Sequence, residues 1–223
     1  MFLEPLRQAA ENYLYTNDGA IQEQTRQQLV HAGTSAVVPL IEALLVTLRK
    51  FKSASWGKRQ MQDFVDMVAE FVGPYADELR REIEGMPDRE GEGLSMAQSV
   101  FSRQACERAW QVISQIGESG VRALFALVNG KDQRVRLAAM LVLNMEENPS
   151  RYILNALATS APFQKEISSE VDAVAGLLAL RIMALSGERR AREMLDQYGR
   201  EFELSGSDFA DALIDHAIFL LIQ

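Results

Sequence analysis

The sequence predicts an all-α fold: an α-solenoid of about five antiparallel helical hairpins with a capping helix at each end. Three observations carry this. No segment alternates apolar and polar residues between tight turns, so strand signals are nearly absent. Apolar residues recur throughout at three- and four-residue steps, which sets them on one face of a helix. The helices also come in similar pairs. Moving residues 105–127 along by 30 sets Ala109 on Ala139, Val112 on Val142, Ile113 on Leu143, Leu124 on Leu154, Ala126 on Ala156 and Leu127 on Leu157. Moving them by 70 sets Val112 on Ile182, Ile113 on Met183, Gly117 on Gly187 and Leu124 on Met194.

The elements follow in order. Met1 to Leu14 predicts an N-terminal helix that covers the first hairpin. That hairpin, near 22–50, places Leu29, Val37, Leu40, Ile41 and Leu44 around Gly33. A second, near 60–85, has Phe64, Met67, Val68, Phe71 and Val72 before Gly73. The third, near 103–129, turns at Gly117, with Ala109, Val112, Ile113 and Ile116 before it and Val121, Leu124 and Leu127 after it. Glycine at these turns suits a helix end that needs a left-handed backbone. The fourth, near 132–159, has Glu147, Asn148 and Pro149 in place of the glycine; Asn suits the same conformation and Pro opens the next segment. A fifth lies near 172–199. The last helix, near 207–222, has Ser207 as N-cap and Phe209, Leu213, Ile214, Ala217 and Leu221 as its buried stripe. Interruptions at 85–98, rich in Gly and charge, and around 160–170 read as loops, the first of them mobile. Nothing resembles an interdomain linker, so residues 1–223 are expected to form a single domain.

Composition narrows the function classes. Apolar residues make up 48%, and only 14 Gly and 6 Pro occur, which excludes disordered and collagen-like chains. Basic residues number 23 against 31 acidic, a net charge of −8 that disfavours nonspecific binding to nucleic acid and to anionic membranes. The one cysteine, Cys106, forms no internal disulfide and sits at a core position of its helix. The opening residues lack a basic segment followed by an apolar one. The longest apolar stretch, Ala36 to Val46, is broken by Pro39 and Glu42 and falls short of the about 20 residues a membrane span needs. A soluble, cytoplasmic protein is expected.

Chemical motifs are sparse. His31, His216 and Cys106 are too scattered for a zinc site, and neither metal nor cofactor is expected. Gly91 and Gly93 lack the preceding strand and the following Lys-Ser/Thr of a phosphate loop, and Glu90 and Glu92 would repel phosphate. Asp132 is placed to cap a helix, with Arg136 one turn on to pair with it or to reach the next repeat. Trp56, among Lys50, Lys52, Lys58 and Arg59, reads as a loop residue tucked onto the core or as a stacking platform beside a basic cluster. Trp110, beside core positions Ala109 and Ile113, is expected at the edge of the stack.

The fragment Asp132-Gln133-Arg134-Val135-Arg136-Leu137-Ala138-Ala139 looks like the Asp-x-x-Val-Arg-x-x-Ala opening of a repeat. His31 to Ile41, with Gly33 and Pro39, is similar to the turn and second-helix opening of the same repeat. By these residues the chain resembles the HEAT-like, armadillo-like helical repeats. The resemblance implies a curved stack used as a binding surface, with the second helix of each hairpin lining the concave side. The polar residues there are Glu42, Arg49, Arg80, Arg122, Arg151, Asn155, Arg192 and Glu193. Arg122 and Arg192 fall on one position of the repeat, and Tyr152 takes it in the intervening unit. Arg and Tyr are favoured in binding hot spots. Arg80, Arg122, Tyr152, Asn155 and Arg192 are therefore the candidate partner-binding residues, and no catalytic residue is predicted. The expected function is a non-catalytic scaffold for a protein or peptide. The alternative is an enzyme on the same architecture, similar to a bilin lyase or, less closely, to a DNA glycosylase. The apolar ending Ala217-Ile218-Phe219-Leu220-Leu221-Ile222 predicts either packing back onto the last hairpin or a homodimer contact.

Overall fold

Leu6, Ala9, Ala10, Tyr13 and Leu14 repeat on one face and drive the first helix, α1 (Leu3–Tyr15), whose Pro5 sits in the first turn where its missing N–H costs nothing. The computed structural model describes residues 3–16, 18–50, 94–160, 169–201 and 204–222, with Asp77, Arg80, Arg81 and Glu84 besides. The hairpin expected at 60–85, Gly73, Trp56 with Lys52, Lys58 and Arg59, and the Gly91-x-Gly93 pair lie outside these residues, apart from the four just named. All described elements are helical and no strand occurs among them.

α2 (Gly19–Ala32) starts where the Asp18 carboxylate accepts hydrogen bonds from the amides of Ala20 (2.8 Å) and Ile21 (3.1 Å). It ends at Gly33, and a short 3₁₀ turn (Gly33–Ala36) leads into α3 (Val37–Lys50). α3 is the more apolar: Val37, Leu40, Ile41, Ala43, Leu44 and Leu48 are buried. The run Gly19–Arg49 is long and apolar enough to cross a membrane by length and composition, and half of its most apolar window is buried inside the fold. α2 and α3 scarcely touch each other, because α1 lies against both.

After the undescribed stretch come α4 (Leu94–Ile116), α5 (Glu118–Val128), α6 (Gln133–Leu143), α7 (Arg151–Ala158), α8 (Glu170–Leu185), α9 (Arg189–Glu201) and α10 (Gly206–Ile222). α4 begins at Leu94, inside the segment expected to be a loop, so helix replaces loop over 94–98. α4 packs with α5 and α8 with α9, but α6 and α7 scarcely meet. α6 instead packs against α3, α4, α5, α8 and α10. Every residue from Arg136 to Leu143 is buried, as a helix that is apolar nearly all round must be. α10 closes the fold by returning across it to α3, α4, α6 and α8 as well as α9, so contacts extend beyond nearest neighbours.

Asp132 caps α6 as expected, accepting from the amides of Arg134 (2.9 Å) and Val135 (3.1 Å). That use of the carboxylate leaves Arg136 to pair elsewhere, and it bonds Asp172 of α8 in an ion pair whose side chains are 6% and 11% exposed. The N-cap of α10 is Ser205, not Ser207: the Ser205 hydroxyl accepts from the Asp208 amide (3.2 Å) and its carbonyl from the Phe209 amide (2.9 Å). The predicted stripe of Phe209, Leu213, Ile214, Ala217 and Leu221 is buried. The apolar ending packs back, with Ala217, Ile218 and Leu221 buried and Phe219 left 54% exposed.

Gly33, Gly117 and Gly187 all take positive φ (61°, 81° and 91°). Gly187 closes α8 in a Schellman motif: its amide bonds the Ala184 carbonyl and that of Glu188 bonds Met183, each at 3.1 Å. Gly33 and Gly117 both differ from the left-handed helical conformation expected, with ψ of −138° and −153°, a backbone that essentially glycine alone adopts. A Cβ there would meet no atom within 4 Å, so any cost of substitution is backbone strain.

Two stability measurements check this account by equilibrium urea unfolding. Gly117→Ala is expected to cost about 1–3 kcal/mol, with Gly117→Asn no better, since Asn tolerates the left-handed helical region and not this one. Asp172→Ala is expected to cost about 3–5 kcal/mol, because it strands a buried guanidinium; Arg136→Met costs less, because the carboxylate keeps the Ser169 hydroxyl at 3.0 Å. Equal losses at the two positions would contradict this asymmetry.

Candidate functional site

Of the residues expected to bind a partner, Tyr152 and Asn155 share α7, and the structure brings Arg122 to Tyr152 from another helix. Arg122, one turn into α5, and Tyr152, at the start of α7, are 30 residues apart, yet the Arg122 guanidinium carbon lies 6.0 Å from the centre of the Tyr152 ring. That is within cation–π reach. Arg122 is exposed and also bonds Glu118 one turn back at 2.9 Å, which holds its end in place. Asn155 is exposed on α7, and its carbonyl accepts the Thr159 hydroxyl at 3.4 Å. Arg192, exposed on α9, donates to the Ala184 carbonyl at 3.4 Å, within its own helical pair. Arg80 pairs with Asp77 at 2.6 Å. Glu42, Arg49, Arg151 and Glu193 are exposed, the last bonded to Arg189 at 2.7 Å.

A second place was not anticipated. Between α4, the end of α6, α8 and α10 lies a cleft of about 350 Å³, lined by Arg103, Glu107, Trp110, Gln111, Asn144, Met145, Glu147, Arg181, Asp211 and Ile214. Arg103 forms one wall: it donates to Asp215 (2.9 and 3.1 Å), to the Asp211 carboxylate (3.2 Å) and to the Asp211 carbonyl (3.0 Å). Arg181 donates through one nitrogen, Nη1, to the Asn144 carbonyl (3.1 Å) and side-chain oxygen (3.2 Å), which closes the end of α6. Burial lowers the pKa of Arg181, with the nearby Arg103 charge acting the same way and Asp211 and Glu147 opposing. Burial likewise raises the Glu107 carboxyl, with Arg103 opposing and Glu147 adding to the rise. Trp110, expected at the edge of the stack, is buried to 8% exposure with one side on this cleft. A signal for it exists in the sequence: Arg103, Glu107, Trp110 and Gln111 fall at helical steps opposite the apolar stripe of Ala105, Ala109, Val112 and Ile113.

Cys106 is fully buried on α4, and burial pushes its thiol far above the ordinary range, with Glu107 adding to the effect. A nucleophile needs the thiolate, so this sulfur packs rather than reacts. His216 sits 2.9 Å from Glu170, joining α10 to α8.

No family model matches the chain, and no curated protein and no solved structure is significantly similar to it.

Cys106 should stay unmodified when the native protein is titrated with a thiol reagent near neutral pH, and should react with one equivalent in denaturant. Rapid labelling of the native protein would show that α4 opens far more readily than its packing implies.

Proposed function

We propose that this chain is a HEAT-like helical-repeat protein acting as a non-catalytic scaffold for a protein or peptide. The repeat reading rests on equivalent positions sharing one environment. Ala109 and Ala139, Val112 and Val142, and Ile113 and Leu143 are all fully buried, as is Ile182 at the third copy of Val112. Gly117 and Gly187 both turn with positive φ. In such a stack the second helices would line a concave face, and α5 and α7 are second helices of consecutive units.

One observation carries the binding reading: Arg122 over the Tyr152 ring, a cation and an aromatic ring from different helices, fixed beside each other at the surface. Paired Arg and Tyr offer a planar donor and a broad apolar face at once, the combination that anchors many interfaces. The Glu118 carboxylate beside them sets Arg122's direction and disfavours an acidic group at that edge. A peptide with an aromatic or apolar residue over Tyr152 and a backbone carbonyl toward Arg122 fits best.

Affinity capture from native lysate tests this, with the variant Arg122→Glu, Tyr152→Ala, Arg192→Glu in parallel and folding checked by circular dichroism. A protein held by the wild type and lost by the folded variant is the expected result. Capture of the same proteins by both overturns the assignment of this surface as the binding face.

A further inference from the structure

The cleft beside Arg103 holds charges that face one another without meeting. Arg103 is fully engaged by Asp211 and Asp215. Arg181 spends only Nη1, on Asn144, and its Nη2 and Nε make no hydrogen bond among the described residues. Neither Glu107 nor Glu147 has a hydrogen bond or ion pair among the described residues, though both line the same cleft. Both carboxylates are exposed, and neither closes on the guanidinium. Here a guanidinium and two carboxylates line a volume of about 350 Å³ instead. That lies at the small end of ligand pockets, of roughly 300–1,000 Å³. Trp110, Met145 and Ile214 supply an apolar wall.

We propose that this cleft binds a free α-amino acid. Its carboxylate takes the two unused donors of Arg181, whose planar fork matches two oxygens. Its ammonium lies toward Glu107 and Glu147, and its side chain rests on Trp110, Met145 and Ile214. A molecule with a single charge would answer one side of the cleft and leave the other uncompensated. Burial already disfavours the charged form of Arg181, so a counter-charge beside it relieves that cost. The lining counts three carboxylates, Glu107, Glu147 and Asp211, against two guanidinium groups, Arg103 and Arg181. That excess of negative charge selects against acidic amino acids. The site is independent of the Arg122–Tyr152 surface and stands or falls separately from it.

Calorimetric titration of the full chain tests the assignment, with L-leucine, leucinamide, N-acetyl-leucine and L-glutamate as probes. Leucine is expected to bind with one-to-one stoichiometry, and each blocked analogue and glutamate at least about tenfold more weakly. Arg181→Gln should abolish the preference for leucine over leucinamide. Glu107→Gln should diminish the preference for leucine over N-acetyl-leucine. The wild-type series decides by itself should either variant fail to fold. No saturable heat with leucine up to roughly 10 mM overturns the proposal, as does equal affinity for leucine and both blocked analogues, or an undiminished leucine preference in folded Arg181→Gln.

Discussion

The rest of the structure is arranged around one buried ion pair. α6 is surrounded by five helices, yet carries Arg136 at a position 5% exposed. A guanidinium there is tolerable only with a counter-charge, and Asp172 of α8 provides it. The solution is incomplete, since the Arg136 Nε is buried without a partner. Such a pair adds little stability over an apolar one, because both charges lose water. What it does impose is position: sliding α8 by a turn along α6 would strand a charge in the core. The pair thereby sets the relation of two of the helices that bound the cleft, whose Asn144 and Arg181 meet about two turns further along both.

Arginine plays a recurring part beyond that pair, ending helices that come from elsewhere in the chain. Arg108 of α4 is 9% exposed and donates to the carbonyls of Tyr13 (3.1 Å), Leu14 (3.4 Å) and Thr16 (3.2 Å) at the end of α1. Burial lowers its pKa to about 10, which still leaves it charged at neutral pH. Arg134 of α6 bonds the Leu221 carbonyl at the end of α10, and Arg181 closes α6. The last carbonyls of a helix carry partial negative charge and lack intrahelical donors. One guanidinium can satisfy several of them at once. The contacts join segments 87 to 95 residues apart for Arg134 and for Arg108 with Tyr13 and Leu14, and so tie the chain's ends to its middle.

How far the sequence revealed this depends on what each feature required. Apolar spacing was enough for α1, α3 and the stripe of α10, because burial on one face needs only a repeat of three and four residues. The glycines at 33, 117 and 187 mark turns, although Gly33 and Gly117 take a conformation other than the left-handed helix. The start of α4 was hidden: Leu94-Ser95-Met96-Ala97 follows a run of Gly, Pro and charge, and composition there outweighed a weak apolar period. Ser205 and Ser207 differ by two positions and not at all in chemistry, so only the bond to the Asp208 amide separates them. Pairing of remote helices was beyond local pattern altogether. Nothing in the spacing of residues 206–222 says that they return to α3, and for the same reason the cleft those helices enclose could not be assembled from single-helix stripes.

The two polar places on the molecule differ in what their charges can accomplish. Arg122 lies in solvent beside Glu118, where water and salt weaken its field within about 10 Å. Such a group steers and orients a large partner whose remaining contacts supply the affinity. In the cleft, Arg181 is partly withdrawn from water, where an unmatched charge costs more and a matched one gains more, while Glu107 is exposed. A small ligand offers few contacts, so it needs that stronger local field to be held and distinguished. Selectivity for the proposed ligand would follow from opposite charge on the two sides of the cleft, with Arg181 held by Asn144 on one and Glu107 and Glu147 on the other. The same helices that bury the core thus set the spacing between opposite charges, and that spacing decides the length of molecule able to satisfy both.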